Sequence, residues 1–139
     1  MLRIYNNDYQ KILNHALKEL PNEACGLIGG TIDQEVKVVR EVYLLRNVDE
    51  SREHFSMDPL EQLAAVKDLR KKGYQLFGNF HSHPDTPSRP SEEDKRLAYD
   101  SNASYLILSL QERERPVLKA FYIDGEMVGE EPIEFILQK

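Results

Sequence analysis

The histidine pair at positions 81 and 83 constrains the fold of this chain more than any other feature. Residues 75–80 are rich in apolar side chains and favour a strand that leads directly into this pair. Because alternate side chains of a strand share one face, His81 and His83 should point the same way, with Cα atoms roughly 6.5–7 Å apart. Ser82 should point to the opposite face. Two imidazoles at this spacing can converge on one metal ion, with Zn–N bonds of about 2.0–2.1 Å.

A third metal ligand is expected downstream, because a catalytic zinc takes three protein ligands and leaves one position open for water. Pro84, Pro87 and Pro90 interrupt regular structure, so the chain should turn there. Ser91 then favours a helix N-cap, and Asp94 falls in the first helical turn, close enough to return to the histidines. Taken singly, Asp94 is better explained as an acid near a helix N-terminus and Ser91 as a simple cap. Their combined pattern is what indicates a hydrolytic metal site.

Taken as a whole, the pattern resembles the JAMM (MPN+) metalloprotease motif, H-[ST]-H-P-x6-S-x2-D, with every motif position present. That family also has a glutamate far upstream, at the start of a strand, and Glu23 matches its position and setting. The resemblance implies zinc ligation by His81, His83 and Asp94, proton transfer by Glu23, and stabilisation of an oxyanion by the Ser91 hydroxyl.

The same resemblance implies a fold and a substrate. The fold would be α/β, a single mixed β-sheet flanked by about three helices, similar in layout to cytidine deaminases. The activity would be that of a zinc metallopeptidase cutting the peptide or isopeptide bond after the C-terminal Gly-Gly of a ubiquitin-like protein. The chain looks most like small prokaryotic members linked to ubiquitin-like sulfur carriers, for instance those that release cysteine from a carrier–cysteine adduct. The carrier's C-terminal tail is expected to add to a sheet edge; which edge stays open.

Composition limits the other classes of function. At 139 residues we expect one domain, spanning residues 1–139. The net charge of −6 with interspersed basic residues argues against nucleic acid, and the densest basic cluster, residues 67–72, is interpreted as a solvated helix face. No apolar stretch of about 18 residues and no signal-peptide core is present, so we expect no membrane span and a cytoplasmic protein. The single cysteine excludes an intrachain disulfide.

Periodicity and turn signals predict the remaining elements. Three helices are expected, at 6–20 with Asn6 or Asn7 as cap, at 59–72 behind an Asp58 cap, and at 91–100. The apolar residues assigned to the second helix are Leu60, Leu63, Ala64, Val66 and Leu69, and those expected to be buried in the third are Leu97 and Ala98. Besides the histidine strand, strands are predicted at 2–5, 23–31, 36–45, 54–57, 105–110, 117–123 and 127–137.

Several alternatives stay open from the sequence alone. Cys25 could be a thiol near the zinc, although a small buried core residue is the favoured interpretation. His15 and His54 lack metal-spaced partners; His15 is interpreted as structural or exposed, and His54 as structural. A zinc deaminase is disfavoured because its H-x-E and P-C-x-x-C signatures are missing. A non-catalytic scaffold would need none of the motif residues, and a zinc peptidase with an unrelated substrate is not excluded. The oligomeric state is not predicted.

Overall fold

The computed structural model describes residues 1–137 as one eight-stranded mixed sheet with three helices. The strands are β1 (Leu2–Tyr5), β2 (Cys25–Asp33), β3 (Val36–Leu45), β4 (Gln75–His83), β5 (Ser104–Ser109), β6 (Val117–Asp124), β7 (Met127–Glu131) and β8 (Ile133–Ile136). The helices are α1 (Asn6–Glu19), α2 (Pro59–Lys71) and α3 (Glu92–Arg96). The α/β mixed-sheet architecture predicted from the sequence is confirmed.

The strand order is β7-β6-β5-β4-β2-β3-β1-β8, so the histidine strand β4 lies in the interior of the sheet. It pairs antiparallel with β2 on one side and parallel with β5 on the other. The two pairings supply hydrogen bonds along both sides of β4. Side chains that project from this strand are therefore held on a backbone fixed from both directions.

The last predicted strand, 127–137, is wrong as a single element. The structure divides it at Pro132 into β7, which pairs with β6, and β8, which pairs with β1 at the opposite end of the strand order. Proline has no backbone N–H and cannot continue the donor pattern of a ladder. Its carbonyl instead accepts a hydrogen bond from the Leu2 backbone at 2.9 Å, which starts the pairing with β1.

The two faces of the sheet carry different cores. One face forms the main hydrophobic core with α1, through residues that include Ile12, Ile28, Phe80 and Leu106. The opposite face carries two smaller clusters, which we call the β5–β6 cluster (Ala103, Tyr105, Ile107, Phe121, Ile123) and the α2 cluster (Cys25, Leu27, Leu45, Ala65). Because side chains alternate along a strand, β4 turns Phe80 into the main core and its histidines toward the gap between the two clusters.

The boundaries of α1 and α2 hold closely, and only the N-cap of α1 differs from the prediction. Tyr5, rather than Asn6 or Asn7, is the N-cap of α1, and it makes no side-chain cap hydrogen bond. The α2 start is as predicted: Asp58 accepts hydrogen bonds from two first-turn N–H groups, and Pro59 is the first helical residue. The chain leaves α2 through Gly73, whose φ of +76° suits a glycine after a helix end.

The predicted apolar face of α2 is partly wrong. Ala65 and Leu69 are buried, whereas Leu60 is 77% exposed and Leu63 is 50% exposed. Ala65 and Leu69, four residues apart, are the two buried side chains of this helix, and the apolar side chains beside them stay partly in solvent.

Two short predicted elements are also corrected. Residues 54–57 are not a strand, and only an isolated bridge joins Met57 to Asn47. The third helix ends at Arg96 instead of continuing to residue 100, which leaves Leu97 45% exposed and Ala98 half-buried against the β5–β6 cluster. Within residues 1–137, none of the helices is long and apolar enough to cross a bilayer.

Candidate metal centre

His81 and His83 lie on the same face of β4, as their spacing predicted. Their Nε2 atoms are 3.2 Å apart, and both side chains are almost fully buried. Ser82 points the other way, also as predicted, and its hydroxyl oxygen accepts a hydrogen bond from the Ala24 backbone at 2.8 Å. The alternation of the strand therefore gives two imidazoles to the site and one hydroxyl to the support of the neighbouring segment.

Asp94 forms a group of three potential metal donors with the two histidines. Its Oδ2 atom lies 3.1 Å from Nε2 of His81 and 3.0 Å from Nε2 of His83. Donor atoms around a tetrahedral zinc with bonds of about 2.0–2.1 Å lie roughly 3.3 Å apart. The three distances are within a few tenths of an ångström of that separation, so this group has the dimensions that one small metal ion requires.

The protonation pattern of His83 also fits a cation at the centre. Its Nδ1 lies 2.9 Å from the carbonyl oxygen of Pro87, which can only accept a hydrogen bond. In the neutral ring the proton must therefore sit on Nδ1, leaving a bare Nε2 that faces the Asp94 carboxylate. Two lone pairs at 3.0 Å repel each other unless a proton or a metal ion lies between them.

The charge state of Asp94 follows from its neighbours. Burial acts to raise the pKa of this carboxyl, but histidine rings that carry a proton on Nε2, together with the Ser91 backbone N–H, hold the pKa well below its usual range. The group is therefore an anion at neutral pH, which is the form that binds a metal ion.

Ser91 and Asp94 are joined by a capping box at the start of α3. The Ser91 hydroxyl oxygen accepts a hydrogen bond from the Asp94 backbone at 3.0 Å, and Oδ2 of Asp94 accepts one from the Ser91 backbone at 2.9 Å. The helix cap therefore also orients the site, because its hydrogen bonds fix the carboxylate that faces the histidines. The hydroxyl proton of Ser91 stays available for another acceptor.

Glu23 lies two residues before the observed start of β2 at Cys25. Cys25 pairs with His81, and Ala24 is bonded to Ser82, so Glu23 lies near the end of β4 that carries the histidines. Its side chain is 3% exposed, and its Oε1 has no hydrogen-bond partner among residues 1–137. Burial, followed by the negative charges of Asp94, Glu93 and Glu53, raises the pKa of Glu23 to about 9.

Asn47 holds the Glu23 segment in place, a role that no sequence pattern predicted. Its buried amide donates to the backbone carbonyls of Glu23, at 3.0 Å, and His54, at 3.1 Å. Its carbonyl oxygen accepts from the backbones of Asp49 and Ser56. One asparagine therefore organises the loop after β3 and attaches it to the residue before β2.

The same loop places Phe55 against His81, one of the three donor residues. Its ring stacks on His81, with centroids 4.7 Å apart and an interplanar angle of 26°. The sequence assigned Phe55 to a strand, and only the folded loop shows that it covers one side of the histidine.

The other titratable residues singled out in the sequence do not join the group. Cys25 is buried in the α2 cluster, with its thiol 3.9 Å from the Leu45 carbonyl, and burial raises its pKa to about 12, in agreement with the core interpretation. His15 contacts the Leu45 carbonyl at 3.2 Å, and the exposed His54 contacts Asp49 at 3.1 Å.

The fold and this group of donors define an α/β protein that can hold a metal ion beside a buried carboxyl group. The chain belongs to the Prok-JAB family, described as prokaryotic homologs of the JAB domain, whose profile matches residues 6–123. This finding confirms the family resemblance drawn from the histidine motif.

The relatives of this chain include proteins named as a peptidase, as a desampylase and as a conjugate-cleaving protease. The chain is 28% identical to the CysO-cysteine peptidase of Mycobacterium tuberculosis, over 89% of this chain and 84% of the relative. It is 31% identical to a desampylase of Haloferax volcanii, over 70% of this chain and 73% of the relative. A probable TtuB-protein conjugate cleaving protease of Thermus thermophilus is 38% identical over 60% of this chain and 54% of its own length.

Solved structures support the fold. A protein of Desulfitobacterium hafniense is 55% identical and superposes with a TM-score of 0.88, covering 100% of this chain and 94% of its own. A JAB1/MPN domain protein of Archaeoglobus fulgidus is 24% identical, with a TM-score of 0.62 and coverage of 98% and 97%. The second similarity extends to the fold alone.

Proposed function

We propose that this protein is a zinc metallopeptidase that hydrolyses the bond after the C-terminal Gly-Gly of a ubiquitin-like carrier protein. The observation that carries the proposal is the convergence of His81, His83 and Asp94 at tetrahedral donor distances beside the buried Glu23. The names of the relatives support the substrate class, since they describe a peptidase and a conjugate-cleaving protease.

The two histidines and Asp94 would hold the zinc through Nε2, Nε2 and Oδ2. With a single negative charge among three ligands, the centre keeps a net positive charge. A bound zinc ion supplies Lewis acidity, which lowers the pKa of water to about 7 and polarises an amide carbonyl.

Glu23 would move the proton. It takes a proton from water as the new C–O bond forms, and it gives that proton to the leaving nitrogen as the C–N bond breaks. Its raised pKa describes the protein without the cation, and a nearby positive charge lowers the pKa of a carboxyl. The same burial that raises this pKa also keeps the carboxyl away from competing hydrogen-bond donors.

Ser91 would donate its hydroxyl proton to the carbonyl oxygen as that oxygen becomes negative. The capping box supports this role, because the hydroxyl oxygen is already engaged as an acceptor and its direction is fixed. A preorganised donor of this kind contributes about 10²–10³ in kcat.

The experiment that tests the proposal is intact-mass analysis of a ubiquitin-like sulfur carrier that bears residues beyond its Gly-Gly. The carrier is incubated with the wild-type protein, with the protein plus a zinc chelator, and with Glu23→Gln as the matched variant that retains the three donors. We expect a loss of mass at the Gly-Gly junction with the wild-type protein only. Bound zinc without cleavage would point to another substrate, and absence of both zinc and cleavage would favour a non-catalytic scaffold.

A further inference from the structure

Buried polar atoms without partners are concentrated around the donor group of His81, His83 and Asp94. Among residues 1–137, three buried side-chain polar atoms have no hydrogen-bond partner: Oε1 of Glu23, Nδ1 of His81 and Oδ1 of Asn79. The proposed proton transfer gives the Glu23 carboxyl a role. The other two atoms belong to residues on the same face of β4, two positions apart, and they have no role in that chemistry.

The two histidines differ in the hydrogen bonding of Nδ1, the ring nitrogen that faces away from the donor group. Nδ1 of His83 is bonded to the Pro87 carbonyl at 2.9 Å, whereas Nδ1 of His81 has no partner among the described residues. A histidine that binds a metal through Nε2 almost always donates its other N–H to an acceptor, which fixes the ring and raises its basicity. His81 therefore requires an acceptor, and Asn79 Oδ1 is an acceptor without a donor.

A small cavity lies beside both residues. It has a volume of about 40 Å³ and is lined by Asn79, His81 and Asp94, with apolar walls from Phe55, Leu97 and Ile123. Tyr105 also lines it, but the Tyr105 hydroxyl is already bonded to Asp100. A buried water needs about 10–15 Å³ of such space and two or more polar partners, and the cavity offers both.

We propose that Asn79 is a positioning residue for the metal centre, holding a buried water that accepts the Nδ1 proton of His81 and donates to Oδ1 of Asn79. The bridge selects the tautomer of His81 that leaves Nε2 free for the metal. It gives His81 the same kind of support that Pro87 gives His83. This inference rests on the metal ligation proposed above.

The test measures zinc affinity by competition with a chromophoric chelator at fixed pH. Asn79→Leu keeps the approximate size and removes the acceptor, and we expect zinc affinity to fall about 10–100-fold. Asn79→Asp keeps the acceptor and adds a negative charge, so it should bind zinc at least as tightly as the wild-type protein. Ile123→Val alters a wall of the cavity without changing its polar atoms, and its affinity should stay within about twofold of wild type.

Wild-type zinc binding is measured first, so that the two proposals can fail separately. If the wild-type protein binds no zinc, the proposed metal site itself is wrong. If it binds zinc and Asn79→Leu binds equally well, only the role of Asn79 is overturned. Equal losses in Asn79→Leu and Asn79→Asp would also overturn it, because the amide would then act by packing alone.

Three further measurements keep the inference falsifiable if a variant folds poorly. The melting temperature of each metal-free variant reports on folding independently of zinc. In the zinc-loaded wild-type protein, ¹⁵N NMR should show His81 protonated at Nδ1, and a crystal structure should show a water within hydrogen-bond distance of His81 Nδ1 and Asn79 Oδ1. An empty cavity in that structure would contradict the bridge.

Discussion

The Nε2 atom of His83 lies 3.0 Å from Oδ2 of Asp94, although the hydrogen bond from its Nδ1 to Pro87 leaves that Nε2 without a proton in the neutral ring. Without a cation, this contact is repulsive or requires an additional proton. With a metal ion between the two atoms, each atom would instead bind the ion, and the repulsion would be removed. The geometry of the site is therefore expected to be most stable when the ion is bound.

Asp94→Asn should abolish tight metal binding. The substitution keeps the shape of the side chain but removes the only negative charge among the three donors, so we expect the metal affinity to fall by at least about 100-fold, more than for loss of an outer hydrogen bond. Metal content per chain, measured by mass spectrometry after dialysis, checks this. Asp85→Asn is the matched control, because Asp85 is exposed and its ion pair with Arg52 lies on the surface. Equal metal content in the two variants would contradict the ligand assignment.

Zinc should raise the melting temperature of the wild-type protein. A ligand present at 100 times its Kd stabilises the native state by about 2.7 kcal/mol, which for a chain of this size corresponds to roughly 10 °C. Differential scanning calorimetry with zinc and with chelator measures the shift. Glu23→Gln should keep most of the shift and Asp94→Asn should lose it, and a shift that persists in Asp94→Asn would place the zinc elsewhere.

The stability of the metal-free protein should decrease as the pH rises. The pKa of Glu23 is raised from 4.5 to about 9, so between these values the folded chain holds a proton that the unfolded chain has lost. The unfolded state then binds fewer protons, and the free energy of unfolding falls with pH by at most about 1.4 kcal/mol per pH unit.

Urea denaturation from pH 5.5 to 8.5 in the presence of chelator measures this dependence. Glu23→Gln cannot lose a proton, so its stability should depend less on pH and should exceed that of the wild-type protein increasingly toward pH 8.5. Every other titratable group is the same in both proteins, and the difference between the two curves therefore isolates Glu23. Parallel curves would show that burial does not hold this proton.

Ser91 has a structural and a chemical role that substitutions can separate. Ser91→Ala should cost about 1 kcal/mol through loss of the cap, whereas Ser91→Gly should cost only a few tenths. Both remove the hydroxyl, so both should lower kcat by about 10²–10³, and Ser91→Thr should keep cap and hydroxyl. Steady-state kinetics and urea denaturation of the three variants check this. Activity that follows stability, with Ser91→Gly near wild type, would leave Ser91 as a cap only.

The donor group was predictable from the sequence because its geometry is local. The strand period fixes the direction of His81 and His83, and the cap pattern brings Asp94 back over a turn of ten residues. Glu23 was found through the family resemblance and not through spacing, since its position depends on the pairing of β2 with β4.

The supporting residues were not predictable because they act across the fold. Asn47 and Phe55 belong to a loop with no regular period, and their contacts with Glu23 and His81 arise only when that loop folds back. Pro132 in the sequence is typical of a strand break, but the pairing of the following strand β8 depends on the edge that β1 offers in the folded sheet.

The exposed face of α2 provides the last prediction. Helical periodicity treated Leu60 and Leu69 alike, yet Leu69 is 1% exposed and Leu60 is 77% exposed. Leu69→Ala should therefore cost about 2–5 kcal/mol, through lost burial and the cavity left beneath the helix. Leu60→Ala should change the free energy of unfolding by less than about 0.5 kcal/mol, since its side chain is largely hydrated in both states. Urea denaturation of the two variants checks the difference, and similar costs would mean that α2 packs on the sheet through its predicted face after all.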